Sequence, residues 1–312
     1  MAEITALVVG IALLTWASDQ FVLGAARIAT LRGIAPLVVG VVIIGFGTSS
    51  PELIVSVLAA LRGEQAVAIG NIVGSNLANL GLILGLGVLI YPLNVDSGTV
   101  RREAPLTVGA MALFALVVRS GPGRLEATAL LLAMTATLLI VMRRRPSDPL
   151  GPATEEFVAE RSGRLPVEIL RTALGLIGTL GASQLLLWGA LGIADRFRLS
   201  QGLVGATIVA VGTSLPELVT VIQAARRREG DLILGNLLGS NLFNSLMVGG
   251  AFGLVAGGTI DAPNLTGFGA TAAVAQGTAV WFLMRTGRRI SRIEGAVLLV
   301  SYGALIPFLS GT

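Results

Sequence analysis

Two carboxylates lie inside otherwise apolar surroundings in this sequence. Glu52 follows the uncharged run Gly33–Pro51, and Glu217 follows the uncharged run Leu199–Pro216. If those runs cross a membrane, each ionised carboxylate costs at least about 2.5–3.5 kcal/mol on insertion scales and must face a polar interior with a partner. No Arg lies at matching depth in either run. Short hydroxylated residues do. Thr48 and Ser49 precede Glu52 by four and three positions, and Thr213 and Ser214 precede Glu217 in the same way, which sets hydroxyls on the carboxylate's side of a helix. Pro51 offers no N–H to the carbonyl of Gly47, and Pro216 repeats the break. Backbone oxygens around Gly45–Thr48 are thereby released, which a membrane tolerates only where they line a cavity or find new donors.

A second motif accompanies the first. Gly70-Asn-Ile-Val-Gly-Ser-Asn-Leu-Ala-Asn79 and Gly235-Asn-Leu-Leu-Gly-Ser-Asn-Leu-Phe-Asn244 place Ser75 with Asn79, and Ser240 with Asn244, at i,i+4 spacing. Each pair projects neutral oxygens from one face, while the glycines allow close helix approach. As a single copy the pattern could be packing alone; two copies, each beside a membrane-embedded Glu, point to a site. The donor set is carboxylate, hydroxyl, amide and backbone carbonyl. The chain has no His and no Cys, so imidazole and thiolate ligands are excluded, and an all-oxygen set suits hard cations such as Ca²⁺ and Na⁺. One Ca²⁺ neutralises two carboxylates, several Na⁺ could do so from adjacent sites, and a shared proton could also fill the gap. Mutually exclusive occupancy of that kind is what an antiporter needs. Both Na⁺ and H⁺ remain open as the coupling ion on these grounds. No nucleophile–base pair accompanies the acids, so an enzyme is not expected.

The elements that must position these residues are apolar helices. Of 312 residues, 54% are hydrophobic and only 13% charged, half the charged share of an ordinary soluble domain. Ten uncharged stretches run from Ile4–Ser18 to Gly295–Thr312, most near the ~20 residues that span a bilayer as a helix. The expected fold is an all-α integral membrane protein of ten transmembrane helices in two inverted five-helix repeats. Helices 2, 3, 7 and 8 are expected to be broken or kinked around a central ion site. The Pro breaks fall in helices 2 and 7, and the third and eighth runs, Gln65–Val95 and Leu232–Ile260, carry several Gly and Asn. The leading Met1-Ala-Glu-Ile-Thr has no basic residue, so the first stretch reads as a retained span.

The two motif pairs are copies of one another. Gly47, Thr48, Ser49, Pro51, Glu52, Gly70, Asn71, Gly74, Ser75, Asn76 and Asn79 each recur 165 positions later with no insertion between them. That is an internal repeat. Residues 1–142 form the first repeat, with its motif region at 40–85. Residues 143–166 read as a cytoplasmic linker and 167–312 as the second repeat, with its motif region at 205–250. Five spans per half is odd, so the second copy enters the membrane from the opposite side, an architecture that places substrate near the midplane. Every basic residue is Arg. With both termini on the extracytoplasmic side, seventeen Arg fall on inward loops and five on outward ones, a strong positive-inside bias. The basic character is therefore topology and contact with anionic lipid, with no nucleic-acid partner and no obligate protein partner indicated.

On Gly47-Thr-Ser-Ser-Pro-Glu52, Gly70–Asn79 and their second copies, the chain resembles the cation/calcium exchanger superfamily, specifically the bacterial and archaeal sodium/calcium exchangers. The resemblance spans essentially the whole chain. It implies that Glu52 and Glu217 are the central Ca²⁺ ligands, helped by the carbonyls of Thr48 and Thr213. It implies that Ser49, Ser214, Ser75 and Ser240, with carbonyls near Gly45 and Ala210, frame flanking Na⁺ sites, and that Asn79 and Asn244 line the middle. No permanently bound cofactor is implied, only transported Ca²⁺ and Na⁺. The family swaps three Na⁺ for one Ca²⁺, electrogenically, by sliding the first and sixth spans across the other eight, and the location implied is the plasma (inner) membrane of a prokaryote. Some relatives carry Asp where this chain has Asn244, so the pocket here has two carboxylates where theirs has three. The linker is also too short for the calcium-sensing domain of animal relatives.

Other charges read as structural. Asp19 is expected to pair with Arg27 near the interface. Glu126 and Glu294 open the fifth and tenth spans, where negative charge suits a helix N-terminus. Glu64 and Glu229 read as solvated helix ends, and Trp16, Trp188 and Trp281 as packing or interface residues.

Overall fold

The computed structural model describes residues 2–32, 47–95, 99–142, 164–228, 230–256 and 260–309. Gly45, most of the linker and Glu229 lie outside these residues. The described chain is helical apart from turns and one short ladder. Helix α1 is Ala2–Leu31, α2 is Ser50–Leu61, and α3 is Gln65–Ile90. Next come α4 (Ala104–Ser120), α5 (Arg124–Met142) and α6 (Leu165–Phe197). Helix α7 is Gln201–Thr213 and α8 is Leu215–Arg227. Helix α9 starts as Gly230–Phe243 and continues to Ala256, α10 is Ala270–Gly287 and α11 is Arg292–Leu309. Among the described residues, seven helices are long and apolar enough to cross a membrane, or eight when the bent pair α7–α8 is one span. The sequence reading expects helices alone; the structure adds a two-residue antiparallel ladder, Leu93↔Ile290 and Asn94↔Arg289, which ties the end of α3 to the turn before α11.

Breaks in the helices fall where the sequence weakens the backbone ladder. Helix α2 carries Pro51 in its first turn, preceded by a turn at Thr48 and Ser49. Ser50 Oγ donates to Gly47 O at 2.8 Å, so the carbonyl released by the proline finds a hydroxyl. Helices α7 and α8 meet at Ser214 with a 45° bend, again just ahead of a proline. The third and ninth helices break differently. Helix α3 widens to π-helical geometry at Ala78–Ile83, and α9 does so at Asn244–Val248. Two further π-helical turns, Thr99–Glu103 before α4 and Asn264–Gly269 before α10, begin 165 residues apart. Such turns free backbone groups and widen the helix locally.

Helices α1 and α6 pack antiparallel along their length on glycines. A Cβ at Gly10 would sit 2.7 Å from Leu186 N, and one at Gly175 would sit 2.4 Å from Phe21 N. Gly24 closes on Thr172 and Glu168, while Gly189 closes on Leu7 and Glu3. Each contact recurs with both partners shifted by 165 positions. Close backbone approach at four glycines lets dispersion act over the whole interface where lipid supplies no hydrophobic drive. At the start of α6, Glu168 is buried between Arg27 at 3.5 Å and Arg171 at 3.3 Å. Arg27, expected beside Asp19, thus reaches across to the other half of the chain, and Asp19 accepts from Gln20 at 3.1 Å. Glu294 caps α11 as expected of an acid in a first turn: its Oε2 accepts from Ser291 N at 2.6 Å and Ser291 Oγ at 2.7 Å.

Candidate ion site

The two motif regions meet at the centre of the helical bundle. Glu52, on the first turn of α2, and Glu217, on the first turn of α8, are both fully buried. Both follow a proline-broken turn, and the break sets each carboxylate at a helix N-terminus, where backbone N–H groups favour negative charge. Sequence spacing places each Glu beside the hydroxyls of its own helix. The structure crosses them instead. Ser214 Oγ donates to Glu52 Oε1 at 2.8 Å, and Ser49 Oγ donates to Glu217 Oε1 at 3.2 Å. A helix break turns the residue before it away from the face that 3.6-residue periodicity would give it, so Ser49 and Ser214 reach the other repeat's acid. Ser240 Oγ adds a second donor to Glu217 Oε1 at 3.2 Å.

Threonine and asparagine extend the same crossing. Thr213 Oγ1 donates to Asn71 Oδ1 at 3.0 Å, and Thr48 Oγ1 donates to Asn236 Oδ1 at 3.4 Å. Ser75 Oγ donates to Ala210 O at 3.5 Å, and Thr213 Oγ1 also reaches Ala210 O at 3.1 Å. Asn79 Nδ2 donates to Asn241 Oδ1 at 2.9 Å, Asn241 Nδ2 to Asn76 O at 3.3 Å, and Asn76 Nδ2 to Ser245 Oγ at 3.1 Å. Asn244 is buried, with neither amide atom hydrogen-bonded.

Ten of the twelve residues singled out from sequence are therefore joined by hydrogen bonds between the two halves; Asn244 is buried without one, and Gly45 lies outside the described residues. Asn71, Asn236, Asn76 and Asn241 stand in the repeated motif, but sequence reading gave them no role. The signal was their exact recurrence at 165 positions. Ser245 has no such signal, because its counterpart is Leu80.

The cluster has the chemistry a hard cation requires. Hydroxyl donors engage Oε1 of each glutamate, while Oε2 of both is buried with no hydrogen-bond partner, as are Asn76 Oδ1, Asn79 Oδ1 and Asn244 Oδ1. A buried unpaired carboxylate oxygen is costly. Buried oxygens left unpaired are the kind of ligand that a cation taking six to eight oxygens uses. No Arg or Lys pairs with either glutamate among the described residues, and no third acid joins them.

Buried oxygen donors contributed from both halves of a helical chain are the arrangement expected of membrane ion carriers. Within that class, the match to known proteins is specific. The family model described as sodium/calcium exchanger protein matches residues 3–143 and 167–311, and the chain belongs to that family. It is similar to the inner membrane protein YrbG of Escherichia coli, with 38% identity over 261 residues, 82% of this chain and 80% of the relative. It is also similar to the sodium/calcium exchanger MaX1 of Methanosarcina acetivorans, with 28% identity over 97% of both chains. Among solved structures, it matches the sodium-calcium exchanger NCX_Mj soaked with Na⁺ and Ca²⁺, at TM-score 0.65 and 27% identity over 98% of both chains. The chain is thus a multi-span membrane transporter of a family that exchanges Na⁺ and Ca²⁺.

Proposed function

We propose that this protein is a secondary active antiporter that exchanges Na⁺ for Ca²⁺ by alternating access. The crossed pair carries the reading: Ser214 on Glu52 and Ser49 on Glu217 leave both Oε2 atoms buried and unpaired. Two like charges held this close need a cation, and one Ca²⁺ or several Na⁺ can supply it, but not both together. Glu52 and Glu217 are then the central Ca²⁺ ligands with the carbonyls of Thr48 and Thr213. Ser49, Ser214, Ser75, Ser240 and the carbonyls of Gly45 and Ala210 serve flanking Na⁺ positions, and Asn79 and Asn244 line the middle. Three Na⁺ per Ca²⁺ would move one net charge per cycle.

The architecture we infer is two inverted five-helix repeats. The eight spans counted above, with α2 and α5, give ten, and the 165-residue recurrence of glycine contacts and π-helical turns supports a pseudo-two-fold axis. The α1–α6 pair is then the natural moving unit. Both termini lie outside, and the Arg-rich face lies on the cytoplasmic side of a prokaryotic plasma membrane. On that face an open cavity of about 400 Å³ lined by Val100, Arg101, Trp281, Arg285 and Arg288 offers lipid phosphate a basic surround.

Reconstituted liposomes test the coupling ion. Uptake of ⁴⁵Ca²⁺ driven by Na⁺ loaded inside, and accelerated by an inside-positive potential that favours the net outward positive charge, is the expected outcome. Indifference to Na⁺ with uptake driven by a pH gradient would assign the same scaffold to H⁺/Ca²⁺ exchange.

A further inference from the structure

We propose that Asn241 is a positioning residue that holds Asn79 with its side-chain oxygen turned to the transported cation. The inference rests on the reading of Asn79 as part of the cation site and adds the residue that orients it.

A carboxamide has one end that donates and one that accepts, and a fixed neighbour decides which way it points. The carbonyl of Asn76 can only accept. Asn241 meets it at 3.3 Å and must therefore present its nitrogen. Its oxygen is then the end that faces Asn79, at 2.9 Å, so Asn79 must present its own nitrogen there. The remaining end of Asn79 is Oδ1, which is buried and makes no hydrogen bond. Reversing either amide would set oxygen against oxygen. One backbone carbonyl, acting through one amide, thus fixes a second amide as an oxygen ligand before any ion arrives. A ligand held in place this way loses little conformational freedom on binding.

The other half of the chain lacks this chain of contacts. By the 165-position shift, Asn76 corresponds to Asn241 and Asn244 to Asn79. Asn76 donates to Ser245 Oγ at 3.1 Å, a hydroxyl whose counterpart is Leu80. Asn244 is left with both Nδ2 and Oδ1 unpaired. Of two equivalent asparagines, one is oriented and the other is not.

Equilibrium ⁴⁵Ca²⁺ binding to the full-length protein in detergent tests this, with thermal unfolding followed in parallel. Asn79→Ala and Asn241→Ala are each expected to weaken binding by about tenfold, the lower end of the cost of losing an outer-shell partner. The double variant is expected to bind no more weakly than Asn79→Ala, since Asn241 acts through Asn79. Asn241→Leu, which keeps the side-chain volume, should behave as Asn241→Ala does and serves where the alanine variant fails to fold. Unchanged binding in either Asn241 variant, or an Asn241 effect that adds in full to that of Asn79→Ala, overturns the positioning role alone. Unchanged binding in Asn79→Ala overturns the reading of Asn79 as a ligand, and this inference with it.

Discussion

The two halves of the site are built from the same motif but are not equally satisfied. In the first half, Ser50 donates to the carbonyl that Pro51 releases, and Asn71 Nδ2 reaches Ser56 Oγ at 2.9 Å and Glu52 O at 3.3 Å. In the second half the corresponding positions are Leu215 and Val221, which have no hydroxyl, and Asn236 Nδ2 is buried without a partner. Asn79 is held by Asn241, while its counterpart Asn244 is held by nothing among the described residues. Both acids escape this trend: Glu217 accepts from Ser49 and Ser240, and Glu52 accepts from Ser214. Duplication therefore preserved the acids and the crossing hydroxyls and let the supporting polar contacts drift apart. The shared part is what an ion must meet, and the unshared part sets how firmly each ligand is held.

The largest effect should come from the shared part. Glu52→Gln and Glu217→Gln are each expected to abolish ⁴⁵Ca²⁺ exchange in liposomes while the protein remains folded. Near-normal exchange by one of them would show that the two acids are not equivalent ligands.

The helix pair α1–α6 tests symmetry away from the ions. Gly10→Val and Gly175→Val each force side-chain atoms into the opposite backbone and should destabilise the fold by roughly 1–3 kcal/mol, with slower exchange. Similar shifts in thermal unfolding for both variants would extend the equivalence to this interface; a large difference would confine it to the ion site.

Asparagine substitutions should separate the halves. Asn244→Asp adds a carboxylate to a side chain with no bonded partner to lose, so in saturating Ca²⁺ it should change Na⁺–Ca²⁺ competition with little loss of stability. Asn79→Asp sets an oxygen against Asn241 Oδ1 and should cost about 1–3 kcal/mol, visible as earlier unfolding. Equal behaviour of the two would remove the asymmetry.

The smallest effect belongs to the proline breaks. Ser50→Ala removes the donor to Gly47 O and should cost about 1 kcal/mol by thermal unfolding. Leu215→Ala removes no hydrogen bond, so any cost there reflects lost packing alone.

Much of this was legible before folding because membrane insertion limits the alternatives. An isolated acid in an apolar run must face the interior, and a repeat with no insertion fixes which residues correspond. Glu52, Glu217 and their flanking hydroxyls follow from those two facts. Local spacing misassigned the partners of Ser49 and Ser214, because helical periodicity describes one continuous helix and both residues sit at a break. It also passed over Asn71, Asn76, Asn236 and Asn241, whose partners include residues of the opposite half.

The amino-acid sequence alone determined an apolar helical membrane chain, its duplication and an all-oxygen donor set, since composition and repeats are properties of the chain itself. Tertiary structure decided which hydroxyl serves which glutamate, that Arg27 meets Glu168, and that Asn79 is oriented while Asn244 is not. Those outcomes depend on distances between residues about 140 to 170 positions apart, and only the packing of helices against one another fixes them.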